Sequence, residues 1–183
     1  IFQFESEGMK KFLKDLKPEN FNDISSAIAL YRPGPASNIP LFIKRRQNLE
    51  KIDYINPALE DILKETYGII VYQEQIMLIA KKLASYTLGE ADILRRAMSK
   101  KKIELLKQEE ERFISNSVKN GYTKEESKEV YDLILKFANY GFNKSHSICY
   151  SLIAYRMAYL KAYFPTYFYA SLLKGVIGSE IKT

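Results

Sequence analysis

Two stretches of this sequence concentrate side chains that could do chemistry. In the first, residues 81 to 107, Lys81, Lys82, Arg95, Arg96, Lys100, Lys101, Lys102 and Lys107 face only Glu90, Asp92 and Glu104. Arg96 and Lys100 lie four apart, so on a continuous helix they share a face. A guanidinium that grips two oxygens and an ammonium acting as a point charge suit converging phosphate oxygens. The plain alternative is a solvated helix end. In the second stretch, Tyr140-Gly141-Phe142-Asn143-Lys144-Ser145-His146-Ser147 gathers aromatic planes, amide, ammonium, hydroxyl and imidazole between two apolar helices. Ser145 is placed to cap the following helix, whose N-terminal amides are themselves an anion site. An aromatic beside such a site can stack on a base or sugar. Equally, Ser145 can serve only as a cap, Tyr140 and Phe142 only as packing, and His146 only as an interface residue.

Shorter motifs carry less. Tyr31-Arg32-Pro33-Gly34-Pro35 reads as a stiff bend ending a helix; Arg32 could meet a phosphate there, but a structural turn is the simpler role. In Tyr72-Gln73-Glu74-Gln75 polar side chains follow an apolar run at a strand-to-helix junction. Glu74 could be a base, yet a carboxylate without a partner acid is a weak catalytic signal. The motif reads as structural, or as a hydrogen-bonding contact to a ligand. Lys136, Lys144, Arg156 and Lys161 extend a second cationic stretch that contains no acid.

The rest of the composition narrows the field. His146 and Cys149 are the only residues of their kinds, which nearly eliminates zinc sites and any internal disulfide. A lone cysteine fits a reducing, cytoplasmic setting. No glycine-rich phosphate loop occurs. No apolar run approaches the roughly 18 residues of a membrane span, so no membrane partner is expected. A chain of 183 residues, 46% hydrophobic and 27% charged, can build a core, and its net charge of +6 leans weakly toward anionic partners. Opening on Ile1 without methionine, it is expected to be a piece of something longer.

The elements that must position these residues are helices. Asn56-Pro57, Thr87 with Glu90, and Thr123 with Glu126 have the spacing of helix starts. Val130, Leu133, Ile134, Phe137 and Ala138 form an amphipathic stripe, with Gly141 as its stop. Gly121 ends a helix over about 100 to 119. Residues 147 to 164 are apolar on nearly all sides, which predicts a central helix covered by neighbours; Pro165 breaks it before one more helix. The only strand candidate is 68 to 72, and the longest irregular piece is expected at 32 to 38. The expected architecture is a mainly α, single-cored, multi-helix domain with at most one short strand or hairpin near 68–72.

Four segments, in order, resemble the α subunit of bacterial DNA polymerase III, in the shorter DnaE-type branch of family C. They are Tyr31-Arg32-Pro33-Gly34-Pro35, then Thr66-Tyr67-Gly68-Ile69-Ile70-Val71-Tyr72-Gln73-Glu74-Gln75, then Glu90-Ala91-Asp92-Ile93-Leu94-Arg95-Arg96-Ala97-Met98, and the 140–147 turn. The resemblance covers about 1–176, as a fingers domain, with 177–183 as a tail. It implies a DNA-directed DNA polymerase whose metal-binding aspartates lie in a palm domain before this chain, so the segment alone is expected to be inactive and metal-free. Magnesium would serve the intact enzyme. Arg95, Arg96, Lys100 and Lys101 would meet the triphosphate of an incoming deoxynucleotide; Tyr140, Asn143, Lys144, Ser145 and His146 would line its pocket. Arg32, Lys102 and Arg156 are further candidates for DNA or phosphate contact. Implied partners are deoxynucleoside triphosphates, primer–template DNA, the palm of the same polypeptide, and a sliding clamp and other replisome subunits through regions outside this chain. The resemblance places the protein in the bacterial cytoplasm, at the nucleoid. From the residues alone, a non-enzymatic helical nucleic-acid-binding module using the same cations stays open.

Overall fold

Several helix starts in this chain fall where a side chain can hold the free amides of a first turn. The structure is a computed structural model that describes residues 1–100, 103–138 and 140–177, with the backbone alone at 98, 99, 103 and 138. Ser6 opens α1 (Glu7–Leu16), accepting from the Met9 amide, and Asn20 opens α2 (Phe21–Leu30), accepting from the Asp23 amide. A 3-10 turn at Pro35–Asn38 leads into α3 (Ile39–Arg46). Asn56 does cap Ala58, but the turn it opens is 3-10 before the single-turn α4 (Glu60–Leu63). After α5 (Gln73–Ala84) come α6 (Leu88–Ser99) and α7 (Ile103–Lys119). The last three are α8 (Lys124–Ala138), α9 (Lys144–Tyr163) and α10 (Pro165–Lys174). Both expected capping boxes form, Thr87 with Glu90 ahead of α6 and Thr123 with Glu126 ahead of α8. Gly121, at φ +92°, stops α7 in a conformation few other residues tolerate.

One hydrophobic core holds these helices. Its aromatic centre is Phe113, fully buried between Tyr86 (ring centroids 6.4 Å) and Tyr131 (5.4 Å). Val130, Ile134 and Phe137 of the predicted stripe point into the same core. At the other end Phe42 packs edge-on to Tyr67. Arg112 fastens α7 to α6, pairing with Glu90 while lying 4.6 Å over the Tyr86 ring, whose hydroxyl donates to Glu109 at 2.7 Å.

Three expectations need correction. The 68–72 run forms no strand among the described residues, only an isolated parallel bridge from Tyr72 to Phe142. Among the described residues no second extended segment continues a ladder, and the Val71 and Tyr72 amides donate instead to Gln75 Oε1. Among the described residues the longest irregular stretch is 47–56, because 35–38 winds into a 3-10 turn. Most telling, α9 is not central: Ser147, Ser151 and Ala154 are its buried residues, while Leu152, Ile153, Tyr155 and Tyr159 face out. Its described neighbours are α2 on one side and α10 on the other, and α10 itself buries nothing. No helix of the described residues is long and apolar enough to cross a membrane.

Phe113→Ala should cost about 3–5 kcal/mol, the usual range for emptying an aromatic core position, measured by urea unfolding. A second expectation concerns acid. The Thr87 amide, then Arg112, hold the Glu90 carboxyl down to about 2. Its stabilising contribution is therefore present above the ordinary value of 4.5 and is lost as pH falls toward about 2. Glu90→Gln should flatten the melting-temperature profile across that window relative to the unchanged chain.

Candidate functional site

The 140–147 turn is placed by small residues. Ser147 Oγ donates to the Ser25 carbonyl at 2.7 Å, Ser25 Oγ donates to Ser147 Oγ at 3.1 Å, and Tyr72 OH donates to Ser25 Oγ at 3.0 Å. With Ser151 also buried, α2 and α9 approach closely along a hydroxyl-lined seam. The turn is then tied to α5 through backbone: Phe142 N donates to the Val71 carbonyl (3.0 Å), and Gln73 N donates to the Phe142 carbonyl (2.9 Å).

The cap of α9 is Asn143, not Ser145. Asn143 Oδ1 accepts from the His146 amide at 2.8 Å, and since the helix begins at Lys144, Ser145 sits exposed inside its first turn. The expected anion site at this helix start already has an internal anion. Glu74 accepts from the Lys144 amide with both oxygens (3.1 and 3.0 Å) and from Asn143 Nδ2 (3.0 Å). That settles Glu74 as a structural acceptor rather than a free base. Lys144 Nζ contacts both oxygens of Glu65 at 2.7 Å, 5.6 Å from the centre of the Tyr72 ring.

The Arg32 bend locks onto this turn. Arg32 donates to the Ala29 and Tyr140 carbonyls (2.9 and 2.7 Å), and its guanidinium lies 4.4 Å over the Phe142 ring. Burial pulls its pKa below the ordinary value. Gly34, at φ +97°, is where the Tyr140 ring stands: a Cβ there would come within 2.2 Å of it. His146 lies edge-on to Phe142 (5.3 Å) and tilted against Tyr150 (4.2 Å), and Tyr150 stacks on Phe2 (5.2 Å). Together with Tyr31 and Arg32 these rings line an open groove of about 510 Å³.

The basic motif lies on α6. Asp92 accepts from Arg95 Nε through one oxygen (2.8 Å) and pairs with Arg96 Nε through the other (2.7 Å). These guanidiniums, Arg95 foremost, hold the Asp92 carboxyl below the usual carboxylate range. Arg95 Nη1 also donates to Gln73 Oε1 at 3.2 Å. Arg95 is half-buried, whereas the Arg96 side chain is 67% exposed. The Lys100 amide donates to the Arg96 carbonyl, so helical register carries through to this exposed lysine. Lys101 and Lys102 lie outside the described residues. Arg156 is exposed on α9, ten residues past His146 and so about 15 Å along the axis.

Gln73 is thus the joint between the motifs, its backbone on the Tyr140–Ser147 turn and its side chain on Arg95. The sequence offered no periodicity to find it, only its place in a polar run.

Residues 1–121 match the model of the bacterial DNA polymerase III alpha subunit finger domain. The chain belongs to this family. Along all 183 residues it is 56% identical to DNA polymerase III subunit alpha of Staphylococcus epidermidis, and 55% identical to that of Staphylococcus aureus. It spans 17% of the length of each. The finger-domain match includes both arginines of α6 and the Arg32 bend; the Tyr140–Ser147 turn falls beyond it, within the region aligned to the two relatives.

Members of a polymerase family imply a divalent metal, and this segment's donors do not fit one. Among the described residues no three carboxylate, histidine or thiol groups converge. The carboxylates around the site, Asp92, Glu74 and Glu65, are each spent on cations or amides of the fold.

Gly34→Ala should both strain a glycine-only backbone, at about 1–3 kcal/mol, and push the Tyr140 ring off its seat. The measurements are urea unfolding and the near-ultraviolet circular dichroism of the tyrosines, which should change together.

Proposed function

We propose that this chain is the fingers portion of a replicative DNA-directed DNA polymerase, where it binds the incoming deoxynucleoside triphosphate and helps position the template. The observation that carries this reading is the junction at Gln73, which ties Arg95, the first of the α6 arginine pair, to the aromatic turn before α9. A triphosphate and the sugar and base attached to it need such a pairing of cations with exposed rings.

Phosphoryl transfer asks a protein mainly for positioning and charge stabilisation. In this reading Arg95 and Arg96, with Lys100 and Lys101 following, bind the triphosphate oxygens. Tyr140 lies near the sugar or base, and Ser145 and His146 complete the pocket edge. Asn143 and Lys144 act one step back, holding the turn through Glu74 and Glu65. Arg32 braces Tyr140 and Phe142 rather than reaching for DNA, while Lys102 and Arg156 are left for the nucleic-acid backbone.

The catalytic aspartates belong to the palm, elsewhere in the polypeptide, and would hold magnesium there, which would supply charge stabilisation for phosphoryl transfer. This segment alone should not polymerise. Outward apolar side chains of α9 and α10 are covered by other parts of the same polypeptide, and contacts with the sliding clamp and the rest of the replisome lie outside this chain. The setting is the bacterial cytoplasm, at the nucleoid.

The test is Arg96→Ala in the intact polymerase, by single-turnover incorporation against nucleotide concentration, with DNA affinity measured across salt. Nucleotide affinity or maximal rate should fall by about 1.5–3 kcal/mol, the worth of a charge-assisted contact, with DNA binding unchanged. If DNA affinity falls instead, and its salt slope shrinks by about one, Arg96 is a backbone contact and the nucleic-acid-binding alternative takes its place.

A further inference from the structure

We infer that Gln73 is a positioning residue for nucleotide binding: a neutral acceptor that aims the Arg95 guanidinium without cancelling its charge. This rests on the reading of Arg95 and Arg96 as triphosphate contacts. Gln73 is the first residue of α5, so its amide is one of the donors a helix leaves free, and it goes to the Phe142 carbonyl at 2.9 Å. Its side-chain stem lies against Gly141, where an added Cβ would come within 3.0 Å of Gln73 Cγ. From there Oε1 accepts from Arg95 Nη1 at 3.2 Å. One side chain therefore senses the turn at its base and the α6 arginine at its tip.

Charge explains why an amide suits this position. Asp92 contributes one negative charge against the two guanidiniums it contacts, leaving the trio at a net positive charge. Glu74, the next residue, directs its carboxylate to Asn143 and Lys144 of the turn. A carboxylate at 73 would neutralise the trio and hold Arg95 in a charge-assisted bond, in competition with a phosphate. An amide adds a contact to the planar fork, which Asp92 already holds at 2.7 Å, without bringing a second negative charge to it.

The experiment compares Gln73→Glu, Gln73→Ala and Arg95→Ala in the intact polymerase, by single-turnover incorporation against nucleotide concentration, with melting temperature and DNA affinity alongside. Arg95→Ala and Gln73→Glu should each raise the half-saturating nucleotide concentration by roughly ten-fold or more. Gln73→Glu should nonetheless melt no lower than the parent and bind DNA equally well. Gln73→Ala, which keeps the charge and loses the aim, should lower the maximal rate several-fold with little change in half-saturation. A purely structural glutamine predicts the opposite for Gln73→Glu, since a stronger bond to Arg95 would hold the same elements and leave the nucleotide response alone. Unchanged kinetics in Gln73→Glu beside a weakened Arg95→Ala overturns this inference only. Unchanged kinetics in Arg95→Ala overturns the triphosphate reading beneath it as well. Should Gln73→Glu melt well below the parent, Gln73→Ala decides: a several-fold loss of rate supports the role, and parental kinetics ends it.

Discussion

The structure hangs on a pair of backbone hydrogen bonds around Phe142. Its amide and carbonyl reach Val71 and Gln73, roughly seventy residues earlier in the chain, on either side of Tyr72. Once made, they fix where α5 begins relative to where α9 begins. Glu74 is then within reach of the first amide of α9, Lys144 within reach of Glu65, and the Phe142 ring under the Arg32 guanidinium. None of these contacts would survive a shift of one residue in the bridge, because each depends on side chains of α5 and of the turn meeting in register.

Around this bridge the protein supplies its own counter-ions. Glu74 stands where an external anion would bind the start of α9, Glu65 neutralises Lys144, and Asp92 spans two arginines. The groups that keep a face to solvent include Arg96, Lys100, Tyr140, Asn143, Ser145 and His146, with Arg95 half-buried beside them. Internal pairing thus narrows a broadly basic sequence to a few usable cations. The +6 of the composition says little about where an anion would go; the ion pairs say much more.

Much of the fold was legible because it follows local rules. Thr87, Thr123 and Asn56 mark starts through the reach of one side chain to the next turn, and Gly121 marks a stop through a backbone conformation few other residues adopt. The motifs were legible too, since Arg95, Arg96 and the Tyr140–Ser147 turn are dense in functional groups. What escaped was what joins distant segments. Gln73 and Glu74 act on residues far along the chain, and nothing in their neighbours' spacing announces it. Asn143 and Ser145 are both capable caps two positions apart, and only the actual start of α9 chooses between them. The exposure of α9 escaped for a different reason: an apolar surface tells that something must cover it, but not whether the cover is in the same segment.

That exposure has a mechanical side. α9 is twenty residues long, about 30 Å, and its buried residues, Ser147, Ser151 and Ala154, all lie within its first eleven positions. The helix is therefore a cantilever, clamped beside the candidate pocket and met beyond it, among the described residues, by α10. A tilt of about 5° at the clamp carries the far end some 2–3 Å over such a length. Read in reverse, whatever grips the outer half has the leverage to make sub-ångström adjustments at Asn143 and His146, where the rod begins.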